Sequence, residues 1–251
     1  MRYKLIAAAL APTAFLIVSH PPLSVAATRP TCHGIAATIV GTSHADTIVG
    51  TSHRDVIVAG AGADRISGRG GNDLICAGAG NDVVSGGAGN DVVAGGLGMD
   101  RISGGDGADV IAGNAGDDTV SGNAGDDTVA GNADDDTVNG GAGDDTVNGG
   151  LGNDDVNGGD GADEVRGGDG DDTLEGGTGD DDLYGDGGND HISGDGGNDH
   201  SHGGDGTDTV DGGGDAGDTE DGDEAGPDSG TSEPDPCAPP VTARVVARAA
   251  C

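Results

Sequence analysis

The chain has almost no aromatic residues: one Phe, two Tyr and no Trp in 251 residues. A globular domain of this length ordinarily buries several large rings, so a conventional three-dimensional core is excluded. Positive charge is scarce too. Ten Lys and Arg stand against 46 Asp and Glu, a formal net charge of −36. Such a chain repels phosphate backbones and anionic headgroups, which argues against nucleic acid and anionic membranes as partners and favours cations. Beyond the N-terminus no run is apolar enough to span a bilayer, so no membrane span is expected. No G-x-S-x-G, H-E-x-x-H or P-loop pattern occurs. The chain is not expected to be an enzyme.

Glycine is abundant instead, at 55 residues. Together with the charge this composition would ordinarily mean disorder. The order of the residues argues otherwise. From Gly41 to Asp211 the chain repeats every nine residues as G-G-x-G-x-D-x-U-x, with U aliphatic, in 19 units without a slip. The sixth position is always Asp: Asp46, Asp55, Asp64, Asp73, Asp82, Asp91, Asp100, Asp109, Asp118, Asp127, Asp136, Asp145, Asp154, Asp163, Asp172, Asp181, Asp190, Asp199 and Asp208. The eighth is Ile, Val or Leu in 18 units and is broken only by Ser201. A disordered polymer has no reason to hold an acid and an aliphatic in fixed phase.

The flanks divide the rest. Residues 1–27 read as a signal peptide, with Arg2 and Lys4 before the apolar Leu5–Val18 and small residues Ser24-Val25-Ala26-Ala27 for cleavage. The chain is therefore expected to be secreted, and loss of the two cations would leave −38. Residues 28–40 form an N-terminal capping segment, whose Ala37-Thr38-Ile39-Val40 copies Asp46-Thr47-Ile48-Val49 without the carboxylate. Residues 41–211 are the repeat domain, 212–236 an acidic flexible linker and 237–251 a tail bracketed by Cys237 and Cys251. Four cysteines fit an oxidising compartment, and three connectivities are open. The pairing favoured is Cys32–Cys76 with Cys237–Cys251. If the lead-in kept register, Cys32 would lie too far from Cys76, so that pair requires the N-terminal arm to fold back.

Nine residues suffice for one turn and one strand. Glycines at positions 1, 2 and 4 permit close approach and positive φ, and Asn or Asp at position 5 also tolerates left-handed geometry. Positions 7 to 9 then form a short strand, with position 8 on one face and positions 7 and 9 on the other. Two units complete a coil, and 19 units give about 9.5 coils with facing parallel sheets, an all-β solenoid. One aliphatic per nine residues is a thin core for so many ordered glycines. The position-6 Asp residues of units n and n+2 fall on the same edge, one coil apart, where bare carboxylates repel. A hard divalent cation held by carboxylate and carbonyl oxygens resolves that repulsion, and calcium suits it best. Magnesium demands a stricter octahedron, and zinc would want Cys or His at fixed spacing.

The residues from 41 to 211 resemble the RTX, or haemolysin-type, calcium-binding repeat. Gly86-Gly87-Ala88-Gly89-Asn90-Asp91-Val92-Val93-Ala94 fits the motif at every defined position. The resemblance implies a right-handed parallel β-roll with Ca²⁺ between turns one coil apart, held by the 19 aspartates and backbone carbonyls. That allows at most 17 ions of the n/n+2 kind. The repeat carries 37 acids and 5 Arg, a balance of −32, so 17 Ca²⁺ would nearly neutralise it. The lead-in Cys32-His33-Gly34 with Cys76 is similar to secreted Gram-positive, actinobacterial-type members. His44 and His53, in place of glycine in the first two units, Asp134 at a position-4 glycine, and Ser201 depart from the pattern.

The function expected is a secreted calcium-ion-binding protein that folds on its ions. The alternative is an extracellular structural or adhesive spacer. Ice binding would need a Thr array at position 3, where only Thr178 occurs. His191, His200 and His202 lack a partner set for a transition metal, and Arg244 and Arg248 read as a solvated tail. Paired acids such as Asp117-Asp118 follow from the turn rather than from acid–base catalysis.

Overall fold

In a computed structural model the chain is described over residues 29–214 and 217–221. The signal-peptide reading and the Cys237–Cys251 pair lie outside these residues. Among them there is no helix, and hence none long and apolar enough to cross a membrane. Strands alternate between two parallel sheets, ten-stranded from Thr47–Val49 to Thr209–Asp211 and eleven-stranded from Ile39–Val40 to Thr219–Asp221. Every odd-numbered step of the chain joins one sheet and every even step the other, which is a β-solenoid of about ten turns.

Register follows the period. Ile102 lies between Val84 and Val120 in one sheet, and Ile111 between Val93 and Val129 in the other. The position-8 side chains form two facing ladders that make the main core, fully buried from Ile57 to Ile192 apart from a few per cent at Ile66 and Ile102. Position 7 faces solvent in most units, as at Thr119 and Thr137, and is buried at Val56 and Leu74. A three-residue strand is too short, however. From Val56–Ala61 to His200–Asp205 each strand runs six residues, through positions 7 to 9 and on through 1 to 3. The turn is only positions 4 to 6. Glycine at positions 1 to 3 is compatible with pairing here because the sheets are held by backbone hydrogen bonds to copies of the same unit.

The left-handed residues sit at positions 2 and 4, not at position 5. Gly96 (φ 123°) and Gly98 (φ 110°) are typical. Where a side chain stands there it is mostly Asn or Asp, as at Asn114 (φ 86°) and Asp134 (φ 75°), the non-glycine residues that best tolerate this geometry. Asp134 therefore does not break its turn, and its Oδ2 accepts the N–H of Gly116 at 2.9 Å. Position-5 side chains instead bridge coils: Asp180 Oδ1 accepts the N–H of Asn198, 18 residues on, at 2.9 Å.

The N-terminal arm does fold back. Thr31–Cys32 and Ile35–Ala36 pair antiparallel around His33-Gly34, both with positive φ (47° and 79°), a type I′ hairpin. The hairpin lies on the outer face of the eleven-stranded sheet, where Cys32 and Ala37 pack with Val56, Leu74, Cys76 and Ala94. Cys32 and Cys76 form a disulfide there, with Cα atoms 5.8 Å apart.

Candidate metal centre

The position-6 aspartates stack in two files, one along each edge of the roll. Those preceding the ten-stranded sheet include Asp82, Asp100, Asp118 and Asp136; those preceding the other include Asp91, Asp109 and Asp127. Within a file, neighbours are 18 residues apart and joined directly. The backbone N–H of each Asp donates to Oδ1 of the next: Asp46 to Asp64 at 2.7 Å, Asp100 to Asp118 at 2.7 Å, Asp190 to Asp208 at 2.8 Å. Each Asp carbonyl in turn accepts a position-7 N–H of the next coil, as Asp100 does from Thr119 at 2.9 Å. The n/n+2 stacking inferred from spacing is thus the geometry of the molecule.

These side chains turn inward. From Asp64 to Asp199 none is more than 3% exposed. In each unit from Asp64 to Asp190, and again at Asp208, Oδ2 is buried with no hydrogen-bond partner. A buried carboxylate oxygen without a donor is costly, and this one recurs coil after coil. Backbone oxygen lies close by: a Cβ placed on Gly86 would collide with Asp91 Oδ2 and stand 2.6 Å from the carbonyl oxygen of Gly104. Glycine at position 1 serves that space rather than a left-handed φ, and in two units the buried Ala59 and Ala77 occupy the position instead.

Burial sets the protonation chemistry. Loss of water pushes Asp100, Asp136, Asp145 and Asp172 up to about 7, and Asp91, Asp109, Asp118, Asp181 and Asp190 up to about 6. The N–H donated by the preceding Asp opposes the shift, and neighbouring carboxylates add to it. The donor set is anionic, made only of oxygen, and short of positive charge. It fits a hard divalent cation of the calcium type, with carboxylate Oδ2 atoms and turn carbonyls as the groups that could hold it. The cluster Cys32, His33 and Cys76 offers no comparable site, because both sulfurs are consumed in the disulfide.

One member of the ladder falls outside the nine-residue count. Thr219–Asp221 pairs with His200–His202 at an offset of 19 residues, so one residue is inserted in this last turn. Asp218 then takes the place of a position-6 Asp, its Oδ1 3.3 Å from the N–H of Asp199. The signal was the dipeptide Asp218-Thr219, which repeats Asp118-Thr119 and Asp127-Thr128 one residue out of phase. Glu220 stands where an aliphatic is due, beside Ser201, and among the described residues the core ends there.

None of the curated proteins compared with the chain matches it. A profile of the RTX calcium-binding nonapeptide repeat, four copies long, matches residues 40–75, 77–102, 95–129, 130–165 and 166–201. These matches cover more than half of the chain and coincide with the stacked coils and their aspartate files, and the chain belongs to the RTX calcium-binding nonapeptide repeat family.

Proposed function

We propose that this is a secreted calcium-binding protein whose roll folds when Ca²⁺ enters the two aspartate files. The observation that carries this reading is the row of buried, partnerless Oδ2 atoms from Asp64 to Asp190. Bound calcium would supply the positive charge those oxygens lack. The residues of the chain do the rest: glycines at positions 1, 2 and 4 clear the space, Asp N–H groups fix each carboxylate through Oδ1, and the position-8 ladder holds the coils in register. Sharing of each Asp between successive coils makes binding cooperative with folding.

The test is far-UV circular dichroism and small-angle scattering of the chain, in chelator and in millimolar Ca²⁺. The expected result is an expanded coil-like chain that becomes a β-rich rod on calcium addition. Magnesium at the same concentration should leave most of the chain unfolded, because it holds its waters and tolerates loose carbonyl-rich sites poorly. An equally β-structured chain in chelator defeats the proposal.

A structural spacer is the second reading. It is favoured by the shape: eleven strands in one sheet at ~4.8 Å spacing make a rod on the order of 50 Å long. The two readings are compatible, since the rod would stiffen only where calcium is present.

A further inference from the structure

The aspartate files are not uniform, and the difference lies at the N-terminal end. Asp46 Oδ2 accepts the N–H of Thr42 at 2.6 Å and its hydroxyl at 2.9 Å. Asp55 Oδ2 accepts the same two groups of Thr51, at 2.7 and 3.0 Å. Each threonine oxygen also receives an N–H, from His44 at 3.2 Å and from His53 at 3.1 Å, which closes the turn on itself. In the later units position 2 is not threonine, and Oδ2 has no donor from Asp64 to Asp190.

The backbone differs as well. Positions 2 and 4 are left-handed in the third unit, at Gly60 (φ 116°) and Gly62 (φ 117°). Thr42, His44, Thr51 and His53 are not. A β-branched residue resists positive φ, so Thr-Ser-His imposes a second type of turn. The strands feeding these two turns are correspondingly short, Ile39–Val40 and Thr47–Val49, where later ones run six residues. The same end of the roll is tied by Cys32–Cys76 across the hairpin and the strand Leu74–Ala79.

From this we infer that the first two turns are independent of cations. Thr42 and Thr51 take the carboxylate oxygens that calcium takes further along, so the two metal files open at Asp64 and Asp73. Of the 17 n/n+2 pairs among the 19 repeat aspartates, the two that include Asp46 or Asp55 are removed, which leaves 15 beside the out-of-phase pair Asp199 and Asp218. The disulfide-bound N-terminal coils are a preformed template on which each calcium-dependent coil is laid. This assignment rests on the calcium reading and adds to it a boundary and a direction of growth.

Hydrogen–deuterium exchange of the full oxidised chain, in chelator and in millimolar Ca²⁺, tests it. The expected result in chelator is protection of peptides within residues 35–61 and rapid exchange beyond residue 86. Calcium should then protect the later peptides and change the first ones little. The double substitution Thr42→Val and Thr51→Val keeps the branched shape and removes the hydroxyls. It should speed exchange of residues 35–61 in chelator roughly tenfold, the scale of losing a capping hydroxyl, and Thr42→Ser with Thr51→Ser should restore it. If residues 35–61 exchange in chelator as fast as the rest and gain protection only with calcium, the template is refuted while the calcium reading stands. If calcium protects nothing, both are refuted.

Discussion

Asp118 Oδ1 accepts the backbone N–H of Asp100 at 2.7 Å, and Asp118 donates its own N–H to Asp136 Oδ1 at 2.7 Å, while its Oδ2 meets no donor. One residue thus joins three coils and offers an oxygen to the spaces between them. Asp118→Ala should remove carboxylate from two neighbouring sites and detach the coils above from those below. The calcium midpoint for folding should rise roughly tenfold, since affinity in such sites follows the count of charged ligands. Asp46→Ala should shift it far less, because Asp46 has one neighbour in its file, Asp64, and an Oδ2 already held by Thr42. Calcium titrations of both variants by circular dichroism measure this. Equal shifts would contradict the stacked-file arrangement.

Much of this was legible in the residues, because the period is strict. Position 8 as core and position 6 as a stacked file both follow from counting nines, and Ile102 and Asp118 stand where the count puts them. What was not legible depended on partners rather than on periodicity. Gly95-Gly96-Leu97 reads as turn by composition, yet it completes a strand because an identical backbone lies on either side. Asp218 was lost to a single inserted residue. The sealing role of Thr42 and Thr51 cannot be seen in a motif that counts only the glycine they replace. The Cys32–Cys76 bridge depended on a hairpin at His33-Gly34, whose turn chemistry is local and was present to be read.

The raised aspartates predict how the metal-free chain responds to pH. Their ordinary value is 3.8, and in the roll several are pushed up to about 6 or 7. The roll therefore holds protons that the unfolded chain releases. Stability from these groups is complete below pH ~4 and is lost as pH rises through 6 to 7. A metal-stripped sample should show more β signal at pH 4 than at pH 8. With calcium the order reverses, because the ion competes with the proton, and the calcium midpoint should climb as pH falls below about 7. Circular dichroism at fixed total calcium across this range checks both arms. A metal-stripped chain that gains structure toward pH 8 would overturn the account.

Glycines in the repeat do two different jobs, and one substitution pair separates them. A Cβ on Gly95 would collide with Asp100 Oδ2 and lie 2.8 Å from the Gly113 carbonyl and 2.9 Å from Ile102 Cδ1. At Gly187 the nearest atoms are 3.8 Å away, and its φ is not left-handed. Gly95→Ala should destabilise the calcium-loaded roll by about 1 kcal/mol through overpacking, a moderate cost because the buried Ala59 and Ala77 occupy the same repeat position in two other units. Gly187→Ala should fall within about 0.5 kcal/mol of the parent. Thermal melts in saturating calcium give the comparison.

Ser201 is the one polar side chain at an otherwise aliphatic position of the repeat. It is 3% exposed, its hydroxyl has no partner, and it sits in register between Leu183 and Glu220, near the end of a core that includes Ile192 and Val210. A buried hydroxyl without a partner is unfavourable, and the core there is short of apolar contact. Ser201→Val removes the orphaned group and adds two methyls to the ladder. The expected gain is about 1–2 kcal/mol. It should appear as a higher melting temperature in calcium and as stronger exchange protection of residues 182–205. The neighbouring Glu220 sets the limit on this gain, since it stands in register with residue 201 where an aliphatic would continue the ladder, and its carboxylate accepts the N–H of Gly212 at 2.8 Å. If Ser201→Val leaves the melt unchanged, the last coil contributes nothing to the cooperative unit, and the roll in solution ends before Ser201.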